Sequence, residues 1–273
     1  MATDIVFFLK EYGKGSDLHW PGPVKLIAVD PSEWFCGGTD PRCSTAYSNM
    51  YSSYANAGGG RALPGFVARY AKGVSDVGRI AFVGHSAAHG FLNPLLDNDA
   101  DRSMVSAVLM LDTTFGTNKT GYVKMGIDAV RGKRLFATTT ANTGGDCSGA
   151  SYQDVLPPSR CAPPAAVGGW VPVFNRIVEA TGARPKRIAT LPPMPEPSGG
   201  VTQLGDLLYW WRFVDAQGGS ELPHWEQGKI TVPFLQAVLI PYWEGKLGGG
   251  SWAPYAAAGI ALAGGAVAWR LLR

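Results

Sequence analysis

Short apolar runs bounded by turn residues alternate along the chain with segments of helical spacing. This alternation is typical of a mainly parallel sheet with helices packed on its faces. The predicted strands are residues 4–9, 24–29, 79–83, 107–111, 134–140 and 187–191. Residues 207–214 also fit a strand, with a helix as the alternative. The pattern therefore predicts an α/β fold.

The segments of helical spacing are residues 63–72, 87–96, 171–181 and 230–239. The second is expected to break or end near Pro94, because proline removes a backbone donor. The third is closed by Gly182. A polar stretch rich in glycine and serine, residues 30–60, has no predicted helix or strand. We interpret residues 1–247 as one domain and the GGGS sequence at 248–251 as a flexible linker.

The segment 252–269 contains no charged residue, and it is followed by Arg270 and Arg273. Its length just suffices to span a hydrocarbon core of roughly 30 Å. Tryptophans at both ends and arginines at one end are typical of interfacial anchoring. Residues 252–273 are therefore predicted to form an apolar, transmembrane helix. The alternative is a helix that packs on its own domain or on a partner subunit.

Charge and cysteine usage narrow the function classes. The net charge is only +3, without a basic stripe interleaved with aromatics, so nucleic acid is not expected as a partner. The N-terminus lacks the pattern of a secretory signal peptide. The four cysteines form two local pairs whose spacing is not that of zinc ligands. They are expected to form either two disulfides or four unrelated thiols. These pairs are Cys36 with Cys43 and Cys147 with Cys161.

The sequence GHSAAHG, residues 84–90, directly follows a predicted strand and precedes a predicted helix. A serine on such a tight turn exposes its hydroxyl above the sheet edge, and small residues two positions either side avoid a clash. Gly84 and Ala88 are these small residues. The helix start beneath also directs backbone N–H groups to where an oxyanion would form. Ser86 is thus a candidate nucleophile; the alternative is that it only caps the helix.

The element order over residues 4–239, with a second strand that ends in Asp30 and the serine turn after the third, resembles the α/β-hydrolase superfamily of serine esterases and lipases. The resemblance implies a base histidine late in the chain, in a loop after the last strand. His224 occupies that place. His85 and His89 flank the serine and are not expected to be the base. His89 is expected to line the pocket or to cap the helix.

The resemblance also implies a carboxylate that orients the histidine. Asp146, after the strand 134–140, has the commoner family position, whereas Asp112 directly ends the strand 107–111 and is held more rigidly. We favour Asp112, keep Asp146 as the alternative, and place Asp215 third. The main-chain N–H of Ala87 is the expected first oxyanion donor. The second is expected from residues 10–13, at Tyr12, although the His-Gly pair common in the family is absent there.

These residues together predict a serine hydrolase that cleaves an ester or related acyl bond without a metal or an organic cofactor. The expected substrate is a small-molecule, lipid or cell-envelope ester, and the expected location is a membrane or a virion. The oligomeric state, homomeric or heteromeric, stays open. The main alternative is an inactive hydrolase-fold protein that assembles a structure such as a virus particle. A binding module for envelope lipid or glycan is a third hypothesis.

Overall fold

The computed structural model describes most of the predicted domain: residues 2–9, 20, 22–34, 46–113, 119–141, 170–213, 221–222 and 224–247. Only the backbone is described at Ser32, Ala141, His224 and Trp225. Several predictions lie outside the described residues, namely those on Tyr12, Asp146, Asp215, both cysteine pairs, the linker 248–251 and the segment 252–273.

Eight strands form one sheet. They are β1 (Thr3–Leu9), β2 (Lys25–Val29), β3 (Val77–His85), β4 (Val105–Leu111), β5 (Leu135–Ala141), β6 (Pro185–Ile188), β7 (Val201–Leu204) and β8 (Leu208–Phe213). Their order across the sheet is β2-β1-β3-β4-β5-β8-β7-β6. In this order, neighbouring strands from β2 to β8 are parallel, and β7 and β6 extend the sheet with antiparallel pairing. The predicted α/β fold with a mainly parallel sheet is confirmed.

The helices connect these strands. They are α1 (Ala46–Ala57), α2 (Leu63–Tyr70), α3 (His89–Asp97), α4 (Asp99–Met104), α5 (Thr120–Val130), α6 (Trp170–Thr181), α7 (Thr231–Phe234) and α8 (Ile240–Trp243). A π-helical turn, Leu235–Leu239, joins α7 to α8, and 3-10 helices cover Ser32–Trp34, Ser86–Ala88 and His224–Ile230. Each helix in the described part of the chain is too short or too polar to cross a bilayer.

The central strands are apolar because they are buried on both faces. In β1, every residue from Ile5 to Leu9 is buried, and β4 is buried throughout except at Ser106. Parallel strands covered by helices on both faces form continuous apolar runs of this kind, instead of alternating polar and apolar positions. The short apolar runs of the sequence therefore correspond to the middle of the sheet.

Aromatic rings attach the helix that follows the serine turn to this sheet. Phe91 of α3 lies 4.6 Å, between ring centroids, from Phe66 of α2, and Phe66 lies 4.9 Å from Phe7 of β1. All three side chains are fully buried. The start of α3, and with it the turn at Ser86, is thereby held in one position against β1 and β3.

Pro94 does not break the second predicted helix, which ends three residues beyond it. Helix α3 continues to Asp97, and the main-chain N–H of Asn98 still donates to the Pro94 carbonyl. An interior proline costs roughly 3 kcal/mol. The apolar side chains of Leu95 and Leu96 are completely buried, and each stabilises the helix position by roughly 1.5–3 kcal/mol. Their burial offsets the proline.

Helix α1 lies inside the polar stretch for which no element was predicted. Tyr47, Met50, Tyr51 and Tyr54 follow helical spacing, and the first two are buried. The many serine, asparagine and alanine residues between them obscured this stripe. Helices α4 and α5 and strand β7 were also not predicted.

The far edge of the sheet differs in part from the prediction. Residues 208–213 form a strand, not a helix, because β5 pairs with one side of β8 and β7 with the other. The strand predicted at 187–191 instead covers Pro185–Ile188. Proline is tolerated there because it is the first residue of an edge strand.

Candidate active site at the carboxyl edge of the sheet

Ser86 lies on a turn that only a constrained backbone can form. Strand β3 ends at His85, a 3-10 turn covers Ser86–Ala88, and α3 begins at His89. The φ angle of Ser86 is 51°. A non-glycine residue in the left-handed region costs of order 1–3 kcal/mol, and such residues cluster at functional sites. The serine is therefore held in a conformation that the surrounding packing must enforce.

Small residues on both sides of Ser86 make the turn possible. A Cβ atom on Gly84 would lie 2.4 Å from Leu92 Cδ1 and 3.2 Å from the Cβ of Ala88. Both distances are too short for ordinary contact, so β3 and α3 approach each other more closely than a larger residue would permit. This is the steric reason for a small residue two positions before the serine and two after it.

Asp112 occupies the corresponding position on the neighbouring strand. His85 pairs with Leu111 in the register of β3 and β4, so Ser86 and Asp112 each follow one residue after a paired position. Asp112 has a φ of 49°, its side chain is buried, and its main-chain N–H donates to the Thr139 carbonyl at 3.1 Å. Aspartate adopts positive φ more readily than most residues. Two adjacent strand ends therefore turn in the same unusual way.

The 3-10 helix His224–Ile230 lies across these strand ends. Thr139 Oγ1 at the end of β5 donates to Gln227 Oε1, and a Cβ on Gly228 would lie 3.9 Å from His85 Nδ1 at the end of β3. Strand β4 lies between β3 and β5 in the sheet. A helix that contacts both therefore crosses above the end of β4, where Asp112 begins the loop.

His89, on the first turn of α3, contacts the main chain of the serine. Its Nδ1 atom lies 3.4 Å from the Ser86 carbonyl oxygen. Burial lowers the pKa of His89 below 6.5, the charge of Lys119 lowers it further, and the Ser86 carbonyl opposes both. The imidazole of His89 is therefore neutral at pH 7.

Lys119 immediately precedes α5 and is nearly inaccessible to solvent. Burial lowers its pKa to about 8. A buried lysine with a lowered pKa that acts electrostatically on a residue of the serine turn is a feature of functional sites. Sequence reasoning missed it, because a single lysine in a loop carries no periodic or motif signal.

Replacing Lys119 with methionine is expected to raise the pKa of His89, since a nearby cation disfavours the imidazolium form. The side-chain length and burial are nearly preserved. NMR titration of the His89 ring nitrogens measures the shift. Lys124→Met is the matched control, because Lys124 lies in α5, the helix that Lys119 precedes, but pairs with Asp97 at 2.8 Å. A His89 pKa that stays the same or falls in Lys119→Met would contradict the assignment.

The structure thus brings three predicted site positions to one edge: Ser86, Ala87 and Asp112. For His224 the backbone lies at the same edge, at the start of the crossing helix. Gln227 and Thr139, which attach that helix to β5, were not predicted. Within the described ranges, no three His, Cys, Asp or Glu side chains are grouped so that they could hold a metal ion.

Comparison of the chain with protein-family models, curated proteins and solved structures found no match.

Proposed function

We propose that this protein is a serine hydrolase of the α/β-hydrolase type, with Ser86 as nucleophile, His224 as general base and Asp112 as the acid that orients it. One observation carries the proposal: Ser86 has a positive φ on a tight turn between a buried parallel strand and a helix. A serine that merely capped α3 would adopt the extended conformation of an N-cap residue at no strain. A strained serine backbone between a strand and a helix is typical of the turn that carries a nucleophile.

The sheet topology supports the same position. The strand order reverses between β1 and β3, since the chain adds β2 on one side and β4 and β5 on the other. In open α/β sheets, ligands bind outside the carboxyl ends of the strands at such a reversal. Ser86 directly follows β3 and therefore lies at this crevice.

The proposed reaction is acyl transfer to the serine followed by hydrolysis. Ser86 Oγ attacks the ester carbonyl as His224 takes its proton, and the Ala87 N–H stabilises the tetrahedral oxyanion. The protonated histidine then gives its proton to the departing alcohol. A water molecule, deprotonated by the same histidine, hydrolyses the acyl-enzyme and restores Ser86.

The position of the crossing helix supports His224 and Asp112 as partners. Residue 224 precedes Gln227 by three residues, so its backbone begins the same 3-10 helix one turn earlier. The Gln227 side chain bonds to Thr139, whose carbonyl accepts the Asp112 N–H. The backbone of Asp112 and the crossing helix are thus both attached to Thr139, which supports a rigid carboxylate near the helix start.

The proposed membrane association rests on the segment 252–269. The last described helix, α8, lies at the amino edge of the sheet, where Trp243 Nε1 donates to Ser106 Oγ and the Trp243 carbonyl accepts from Arg79 at 2.6 Å. Ser86 follows the other end of β3, seven residues after Arg79 and therefore roughly 23 Å away. The last described helix thus lies at the edge of the sheet opposite Ser86.

Labelling with a fluorophosphonate probe tests the proposed activity. Ser86 Oγ should displace fluoride from phosphorus, and mass spectrometry should locate the adduct on Ser86. Ser86→Ala should abolish labelling, whereas Ser103→Ala should leave it unchanged, because Ser103 is an exposed serine of α4.

Absence of label on folded wild-type protein, or equal labelling of Ser86→Ala, would overturn the proposal. The non-catalytic assembly role would then be the better interpretation. If Ser86 is labelled, turnover of p-nitrophenyl esters of increasing acyl length measures the preferred acyl group.

A further inference from the structure

The peptide group between Ser86 and Ala87 is held from one side by a single residue. The Ser86 carbonyl accepts the main-chain N–H of His89 in the 3-10 turn, and His89 Nδ1 lies 3.4 Å from the same oxygen. A carbonyl oxygen has two lone pairs and can accept both. The ring and the main chain of His89 therefore restrain the orientation of this one peptide plane together.

The contact also defines the state of the His89 ring. A carbonyl oxygen cannot donate, so the hydrogen of the contact belongs to Nδ1. Burial and the charge of Lys119 keep the ring neutral near pH 7, which leaves the lone pair on Nε2. A nearby cation favours an imidazole whose second nitrogen is unprotonated. Lys119 thus supports the neutral ring, and the contact with the Ser86 carbonyl defines which nitrogen keeps the hydrogen.

Planarity transmits this restraint to the other end of the peptide group. In a trans peptide the C=O and N–H bonds point in opposite directions and cannot rotate independently. Holding the Ser86 carbonyl towards His89 consequently directs the Ala87 N–H away from α3. That N–H is the first oxyanion donor of the proposed reaction, and its direction decides how strongly it stabilises the transition state.

We propose that His89 is a positioning residue for the oxyanion hole: its Nδ1–H holds the Ser86 carbonyl and so directs the Ala87 N–H at the developing oxyanion. The proposal rests on the proposed serine hydrolase function and assigns His89 no proton transfer in it. It predicts a defect confined to transition-state stabilisation, because substrate binding in the ground state does not depend on that N–H.

Two isosteric replacements separate hydrogen bonding from packing. In His89→Asn, the amide nitrogen can occupy the place of Nδ1 and donate to the Ser86 carbonyl. In His89→Leu, the side chain has the size and branching of asparagine but carries no hydrogen-bond donor. We expect His89→Leu to lower kcat by on the order of 10- to 100-fold with little change in KM, since complete loss of an oxyanion donor costs about 10²- to 10³-fold. His89→Asn should retain most of the wild-type kcat.

Inhibition by an aryl trifluoromethyl ketone provides the second measurement. Its adduct with Ser86 places a charged oxygen in the oxyanion hole, so its inhibition constant should rise in His89→Leu in parallel with the loss in kcat, and not in His89→Asn. His89→Gln replaces Leu if that variant does not fold. Its amide reaches the place of Nε2 and not of Nδ1, so it should show the same defect.

Equal kcat values in wild type, His89→Asn and His89→Leu would overturn this proposal, as would an equal loss in both variants. A rise in KM with unchanged kcat would also overturn it, because it would indicate a role in substrate binding. These outcomes presuppose labelling of wild-type Ser86. Failure of that labelling counts against the proposed function itself, so the two failures are distinguishable.

Discussion

Replacing Asp112 with asparagine is expected to lower kcat/KM for an activated ester by about 10³- to 10⁴-fold. The carboxylate in this role holds the histidine tautomer that can accept the serine proton and stabilises the imidazolium that forms. An amide does neither. Asparagine has the size of aspartate and tolerates positive φ, so the turn at position 112, with φ of 49°, should persist. Ester turnover and the rate of fluorophosphonate labelling measure the loss.

Two further variants make the result decisive. Asp76→Asn changes an exposed carboxylate before β3 and should leave turnover unchanged. Asp146→Asn tests the rival acid. If Asp146→Asn loses activity and Asp112→Asn keeps it, the assignment of Asp112 is wrong, although the serine nucleophile would stand.

Replacing Gly121 with alanine is expected to destabilise the protein more than any ordinary surface change. A Cβ on Gly121 would lie 1.9 Å from the Asn93 carbonyl oxygen and 2.7 Å from the Asp97 nitrogen. These two atoms are four residues apart on α3, and they are rigid backbone. The methyl group would therefore force α5 and α3 apart and also disturb the Asn93 Oδ1 that accepts the Gly121 N–H at 3.1 Å.

We expect a loss of about 3 kcal/mol in the free energy of unfolding, the upper range for overpacking. For a domain of this size that lowers Tm by roughly 10 °C. Thermal and urea unfolding measure both. Gly65→Ala is the control, because the atoms nearest to its Cβ would belong to the Tyr54 side chain, the closest at 3.1 Å, and an alanine in helix α2 gains helix propensity. Equal stability of Gly121→Ala and wild type would show that the helices can separate without cost.

Local signals in the sequence identified most of the sheet, for a physical reason. Strands β1, β3 and β4 are buried on both faces over most of their length, so each contains a short, continuous apolar run. Helix α1 was missed because only a narrow stripe of it is buried. The sequence could not decide whether Pro94 breaks α3, because the burial of Leu95 and Leu96, which offsets the proline, is a tertiary effect.

The sequence by itself determined the serine turn. Gly84, Ser86 and Ala88 lie within five residues, so the strand, the turn and the helix that they require are set by neighbours along the chain. The same holds for the α/β class, because alternating strands and helices are a local pattern.

Only the tertiary structure decided which other residues surround that serine. Asp112 lies beside Ser86 because β4 pairs with β3, and the helix that begins at His224 reaches them because Gln227 bonds to the end of β5. The relation of His89 to Lys119 arises likewise from the packing of α5 on α3. Such contacts join residues far apart in the chain, and strand order and helix packing, which no local period encodes, bring them together.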